Sequence, residues 1–347
     1  RHGIRIMGPN CLGIIRPDAG VNLTFGNNNA TPGNLALVSQ SGAICTAILD
    51  WAEENSIGFS AVVSTGISAD LDFGDILDYL VSDPRTKSIL LYIEGLHDAR
   101  RFMSGLRAAA RIKPVIAVKV GRHNVGAEAS MSHTGALVGG DDAFSAALAR
   151  SGVLRVQTVT QLFAAARTLS SRYHGAGSRL AIVTNGGGPG VMAADRATDQ
   201  GIELSTLSED TITALNDVLP SVWSHGNPVD IIGDAPPERY SQAVEICLAD
   251  PGVDGVIVIL TPQAMTAPTL VAEEIIKTAE KCKKPILTCW MGGTQVIEAR
   301  QLLNEARIPD FNMLEDAVDA FSFIGTYNRN QRLLLQTPAR LSSGQAA

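Results

Sequence analysis

Residues 35–43, Leu35-Ala36-Leu37-Val38-Ser39-Gln40-Ser41-Gly42-Ala43, run a short apolar stretch through a glycine turn into a helical pattern. Residues 180–190, Leu180-Ala181-Ile182-Val183-Thr184-Asn185-Gly186-Gly187-Gly188-Pro189-Gly190, repeat the device. A buried strand that turns through glycine into a helix is the building unit of a parallel α/β sheet. Beyond the first copy, apolar runs at Phe59–Ser64, Ser88–Ile93 and Pro114–Val120 alternate with helical patterns at Ala43–Asn55, Phe73–Ser82, Ala99–Ala110 and Ala143–Ser151. Beyond the second come strands at Val256–Leu260 and Pro285–Trp290. Helices are expected there at Val191–Asp199, Ser208–Val218, Glu238–Ala249, Thr269–Lys281 and Thr294–Glu305. The alternation predicts two consecutive, doubly wound, parallel-sheet α/β domains at residues 31–174 and 175–330, joined through a polar linker at Ser171–Ser178.

Residues 1–30 hold one apolar run, Ile4–Met7, then Gly8-Pro9-Asn10-Cys11-Leu12-Gly13 and a polar stretch. That is too little to fold alone, so the expectation is the end of a domain whose bulk lies upstream. The opening Arg1-His2-Gly3, without methionine or signal sequence, fits that expectation. Residues 331–347 turn polar and small and are expected to be a linker. The chain has 347 residues, 45% hydrophobic and 18% charged, the composition of a globular α/β protein and not of a disordered one. Its net charge of −7 argues against nucleic acid or acidic membranes as partners. Five cysteines with no CxxC pair argue against a disulfide framework or a zinc site, so no metal site is expected and the chain reads as cytoplasmic. No apolar run approaches the ~20 residues that span a bilayer.

Both glycine turns bear on chemistry. The first turn of a helix carries unpaired N–H groups at the positive end of its dipole, where anions gain roughly 0.3–1 kcal/mol. Glycine lets a phosphate approach the backbone, and Ser41 or Asn185 can add a hydrogen bond. The competing reading is structural, since Ser and Asn are good helix caps and glycine is common in tight strand–helix turns. Neither turn has the lysine of a P-loop, the GxGxxG register or the GxSxG nucleophile elbow.

His133, within Ala129-Ser130-Met131-Ser132-His133-Thr134-Gly135-Ala136-Leu137, falls after the run Pro114–Val120, on a loop at the carboxyl end of a buried strand. Ligands bind at such strand ends in open α/β sheets. A histidine between Ser and Thr is equally what a solvated loop carries. Glu94 closes the run Ser88–Ile93; it can accept a proton from an imidazole and fix its tautomer, or be an exposed loop acid. Asp70, Asp72 and Asp75 are read as helix-capping residues near Phe73, not as a metal site. Asn227-Pro228-Val229-Asp230 reads as a turn followed by an acid.

The segments Met7–Gly13, Val38–Gly42, Tyr92-Ile93-Glu94-Gly95, Ser132–Ala136, Thr184–Gly190 and Asn227–Asp230, in this order, resemble those of the NDP-forming acyl-CoA synthetases. These are the ADP-forming acetyl-CoA synthetases or acetate–CoA ligases, related more distantly to the α subunit of succinyl-CoA synthetase. The resemblance covers nearly the whole chain. It implies flavodoxin-like domains of the succinyl-CoA synthetase type, preceded by the remnant of a Rossmann-type CoA-binding domain. By resemblance His133 is the phosphohistidine and Glu94 the glutamate that orients it. Ser41, Gly42 and Ala43, with Asn185, Gly186, Gly187, Gly188 and Gly190, form the two helix starts that face each other across the phosphorylation site and bind phosphate. Pro9, Asn10 and Cys11 form the turn of the CoA domain near that site. Gly66-Ile67 departs from the family's usual Gly-Asn.

The implied chemistry converts acyl-CoA and phosphate to acyl phosphate and CoA. The histidine then takes the phosphoryl group and passes it to ADP. CoA and ATP or ADP with Mg are the implied cofactors, the nucleotide and Mg being held mainly by an ATP-grasp domain or subunit outside this chain. A fused acetyltransferase domain and an oligomeric full-length protein are also implied. A phosphohistidine adds about −1.5 to −2 charges, which two positive helix ends without a competing lysine would hold yet release. The alternative is a non-catalytic acyl-CoA-sensing module of a GNAT-type lysine acetyltransferase; the retained His133 favours the ligase.

Overall fold

The computed structural model describes residues 3–27, 29–54, 57–123, 140–170 and 177–337. The chain forms two compact units, Arg1–Leu162 with Tyr327–Ala347, and Phe163–Thr326.

In the first unit the strands are β1 (Gly13–Arg16), β2 (Val21–Thr24), β3 (Pro32–Ser39), β4 (Phe59–Ser64), β5 (Ser88–Ile93), β6 (Val115–Lys119) and β7 (Leu154–Val156). They lie in the order β2-β1-β4-β3-β5-β6-β7. Strands β4, β3, β5, β6 and β7 pair in parallel, in the flavodoxin-like order 2-1-3-4-5. Every residue of β4 and β6 is buried, as a sheet covered on both faces requires. The covering helices follow from apolar spacing. Phe73, Ile76, Leu77 and Leu80 bury one face of the helix Phe73–Ser82, and Phe102, Leu106, Ala109 and Ala110 do the same in Ala99–Ala110. Phe73 and Phe102 meet edge to face, with ring centroids 5.7 Å apart. Asp72 starts the first of these helices with a reciprocal cap: its carboxylate accepts from Gly74 N, and Asp75 accepts from Asp72 N.

The second unit carries β8 (Arg179–Thr184), β9 (Glu203–Leu204), β10 (Val229–Asp230), β11 (Gly255–Leu260), β12 (Ile286–Trp290) and β13 (Asp310–Phe311). Its order, β10-β8-β11-β12-β13, is again flavodoxin-like and all parallel, with β9 also on β8. Strands β9 and β10 pair with different stretches of β8, and Asn227 supplies the missing bonds between them. Its amide donates to Leu180 O (2.8 Å) and Ser205 O (3.0 Å), and its oxygen accepts from Ile182 N (3.0 Å). The sequence shows this residue only as part of a turn. The core beneath is built around Trp290 and Tyr240, both fully buried.

Three features depart from the sequence expectations. Ile4–Met7 is not a strand. The strands of residues 1–30 are β1 and β2, and they extend the first unit's sheet instead of standing apart: β1 pairs antiparallel with β4, covering its open edge, and Ile15 is fully buried there. The helix Val159–Leu169 and the short strands β7 and β13 are absent from the sequence expectations, although Leu162, Phe163, Ala166 and Leu169 give the helix a buried apolar face. The division between units falls inside that helix, whose Arg167 donates to Asp310 O at 2.6 Å. Finally, Gln331–Leu335, placed in the closing linker, end a helix running from Leu314. Leu334 is 2% exposed in the first unit's core, while Asn330 donates to Val153 O and Gln331 to Gly152 O, both at 2.8 Å.

That last contact separates two adjacent leucines. Leu334→Ala should destabilise the first unit by about 2–5 kcal/mol, the usual cost of emptying a core site. Leu335→Ala, at a position 68% exposed, should change stability by less than about 0.5 kcal/mol. Urea denaturation of the two variants checks this.

Candidate active site

Both sheets reverse their winding beside the first strand of the parallel set, at β3/β5 in the first unit and at β8/β11 in the second. That is where an open α/β sheet leaves a crevice. At the first, Gln40 follows β3 and its side chain clasps the end of β5. Its Oε1 accepts from Glu94 N (2.6 Å) and Gly95 N (3.0 Å), and its Nε2 donates to Gly95 O (2.9 Å). Ser39 shapes the turn, its hydroxyl accepting from Ser41 N (3.0 Å) and donating to Ser41 O (2.9 Å). Ser41 Oγ in turn accepts from Ile44 N at 3.4 Å, a helix cap. Gly42 N and Ala43 N, at the head of the helix Gly42–Glu54, are left without a partner among the described residues.

The second unit repeats the arrangement residue for residue. Thr184 takes the part of Ser39, with its hydroxyl accepting from Gly186 N (3.1 Å) and donating to Gly186 O (3.0 Å). Asn185 takes the part of Gln40. Its Nδ2 donates to Thr261 O (2.9 Å), and its Oδ1 accepts from Thr261 N (2.8 Å) and from the Thr261 hydroxyl (3.0 Å). Gly187 N and Gly188 N head the helix Gly187–Asp199 with no side-chain cap and no partner among the described residues. Each turn therefore presents two consecutive free N–H groups at the positive end of a helix, a ready anion site.

The expected phosphate-binding residues divide accordingly. Gly42, Ala43, Gly187 and Gly188 carry the open donors. Asn185, 2% exposed, has its amide bonded to Thr261, so it braces the turn. Gly186 N is committed to Thr184, and Gly190 N bonds Gly186 O at 3.2 Å within the helix. Gly190 is needed for packing: a Cβ there would lie 3.0 Å from Thr184 Cγ2.

Pro9, Asn10 and Cys11 sit against the loop that follows β4. Ile67 N donates to Pro9 O (3.0 Å), Ala69 N to Gly8 O (2.9 Å) and Leu71 N to Ile6 O (3.0 Å). A Cβ on Gly66, at φ +56°, would fall 2.3 Å from Pro9 O, so glycine is required there. Asp70, expected to cap, instead accepts from Ile6 N at 2.7 Å and pairs with Arg5, while Asp75, part of the cap, also pairs with Arg5 and Arg101; these acids hold the N-terminal segment down. The adjoining Leu12 touches Gly42, which brings this segment to the first helix start.

Glu94 is 8% exposed, at the end of β5. His133 and residues 124–139 around it lie outside the described residues. The sequence reading overlooked Gln40, Thr261 and Lys119. The two amides are visible as a shared pattern, Ser39-Gln40-Ser41-Gly42 against Thr184-Asn185-Gly186-Gly187. Lys119 lies in neither turn: it ends β6, paired with Ile93 beside Glu94, and is 5% exposed. Burial pushes its ammonium below the ordinary lysine range, with Arg155 adding to the effect and Asp141 and Glu94 opposing it. Among the described residues no group of three or more His, Cys, Asp or Glu side chains could hold a metal, and no helix is long and apolar enough to cross a membrane.

Comparison with known proteins agrees with this organisation. Residues 32–169 match the succinyl-CoA ligase-like flavodoxin domain, and residues 180–333 the ligase-CoA domain. The chain is 42% identical over 329 residues to an ADP-forming acetate–CoA ligase I of Archaeoglobus fulgidus, covering 95% of this chain and 47% of that protein. It thus spans about half of that relative. It is 40% identical to the α subunit of an ADP-forming acetate–CoA ligase I of Pyrococcus furiosus, covering 95% of this chain and 71% of the subunit. Among solved structures, the acetyl-coenzyme A synthetase 1 of Ca. Korarchaeum cryptofilum in complex with phosphate and ADP superposes with a TM-score of 0.86 at 35% identity, covering 97% of this chain and 74% of that one.

The geometry of the turns predicts opposite outcomes for two substitutions. Gln40→Ala leaves Glu94 N, Gly95 N and Gly95 O buried without partners and should cost about 1–3 kcal/mol per group that water cannot reach. Gly188→Ala meets no atom within 4 Å, and the equivalent position in the first unit is already Ala43. It should be neutral or stabilise by up to about 1 kcal/mol. Chemical denaturation separates the two.

Proposed function

The chain belongs to the NDP-forming acyl-CoA synthetase family, and from that membership we propose that it is the phosphoryl-carrying part of an ADP-forming acyl-CoA synthetase of the acetate–CoA ligase type. The observation that carries the reading is the paired turn, which in each unit leaves two consecutive N–H groups open at a helix start, with Glu94 at the first.

In the proposed reaction a phosphate oxygen attacks the thioester carbonyl of acyl-CoA, giving acyl phosphate and releasing CoA as the thiol. In the first unit the free N–H groups of Gly42 and Ala43 neutralise phosphoryl oxygens without a proton to trade. A nitrogen of His133 then attacks the phosphorus and the carboxylate leaves. Glu94 accepts the N–H of the other ring nitrogen, which fixes the tautomer and supports the positive charge that grows on the ring. Transfer of the phosphoryl group to ADP returns the histidine. We assign the nucleotide and its Mg to an ATP-grasp domain or subunit, and CoA to a Rossmann-type domain contacting the Pro9–Cys11 turn. The chain offers no lysine-bearing phosphate loop of its own.

The full-length protein incubated with γ-labelled ATP should acquire an acid-labile, base-stable phosphoryl group, and His133→Asn should abolish it. Equal labelling of that variant overturns the assignment. Glu94→Gln should still label but about 10–100-fold more slowly, the usual loss when a group that orients a histidine is removed. The 347 residues alone should not make acetyl-CoA from acetate, ATP and CoA, because the reactants would not be positioned together.

A further inference from the structure

The residues at the foot of the His133-bearing stretch have one feature that the proposed reaction leaves unused. Lys119 is the last residue of β6; residues 124–139, with His133, lie outside the described residues, which resume at Gly140 before the helix Asp141–Arg150. The Lys119 ammonium donates to Val120 O, the first carbonyl of the departing chain. It also lies 5.6 Å from the ring centre of Phe144, in the first turn of the receiving helix. That helix start is tied from the sheet side as well. Arg155 on β7 pairs with Asp141 at 2.6 Å and donates to Ser145 Oγ.

Burying an ammonium this deeply is unfavourable unless its charge is used. Among the described residues no carboxylate reaches it as an ion pair; a backbone carbonyl and an aromatic face are its direct partners. A methionine would fill the same space and avoid the cost of removing a charge from water. The structure therefore keeps a cation where an apolar side chain would serve packing better.

We propose that Lys119 is a positioning residue: its buried ammonium links Val120, just past β6, to Phe144 in the helix Asp141–Arg150 and sets a fixed positive charge beside Glu94, at the edge where the phosphoryl group is handled. This inference rests on the phosphohistidine reading above. The charged and titratable groups facing the ammonium are Glu94 at the end of β5, Asp141 at the head of the receiving helix and Arg155 on β7. Tyr92 stands next to Glu94, its phenol pushed up by burial and by that carboxylate.

The test uses the full-length protein and three variants, Lys119→Met, Lys119→Gln and Lys119→Arg. Glutamine keeps a donor for Val120 O but loses the charge, and it carries the test if the methionine variant does not fold. Both neutral variants should lower kcat and the rate of label appearance from γ-labelled ATP by about tenfold or more, with KM for ATP and CoA within about twofold. Lys119→Arg should recover most of the rate. Because burial lowers the lysine's titration, the wild-type rate should fall on the alkaline side as the ammonium is lost. The guanidinium stays charged, so the arginine variant's alkaline limb should move to higher pH. Neutral variants that label at the wild-type rate, or an arginine variant with neither recovery nor a moved limb, overturn the proposal. A wild-type protein that takes up no label overturns the phosphohistidine reading, and this inference with it.

Discussion

A side-chain amide clasping the neighbouring strand end is the interaction on which both units depend. Gln40 joins β3 to β5 and Asn185 joins β8 to β11, each where the sheet reverses its winding. At such a point the two strands diverge into helices on opposite faces, so backbone groups just beyond the sheet have lost their ladder partners. An amide can donate and accept at once, so one side chain satisfies both kinds of orphan group. The clasp lets the next residues turn sharply into a helix, with the Ser39 or Thr184 hydroxyl taking up the first N–H of the turn. The helix head beyond each turn keeps two donors open.

The same construction serves two different edges. In the first unit the strand beside the clasp ends in Glu94, and the next strand ends in Lys119. In the second unit the residue matching Glu94 is Thr261, whose hydroxyl and backbone are absorbed by Asn185. Both copies have ionisable groups near the turn: Glu94 and Lys119 in the first unit, and Asp230, whose Oδ2 lies 3.1 Å from where a Cβ on Gly187 would fall, in the second. Under the proposed phosphoryl transfer, Glu94 and Lys119 are the carboxylate and the cation of the first unit.

The N-terminal residues show how strongly context acts on a short segment. Ile4–Met7 has a strand's composition but is held along the loop after β4 by scattered backbone bonds and by Asp70. Residues 13–24, with Ile14 and Ile15 in one strand and Val21 and Leu23 in the other, become β1 and β2 because β4 has an open edge and Ile15 a buried place to go. An unpaired edge in a buried sheet is costly, and the β-branched residues of β1 suit it as a cover.

The alternation of apolar runs and helical periods by itself determined the α/β class, the two sheets and most of their helices, because burial on both faces leaves a continuous apolar signal in parallel strands. The helix starts at Gly42 and Gly187 were legible for a local reason, since glycine and cap chemistry act within a few residues. Long-range pairing has no such signature. That Asn185 grips Thr261 across 76 positions, and that Asn227 fills the gap between β9 and β10, was decided only when the strands came together. Leu334 reads as the start of a polar tail, and only its place in the first unit's core makes it structural. Lys119 looks in sequence like the ordinary charged end of a strand; burial and the Phe144 ring, both consequences of packing, give it a role.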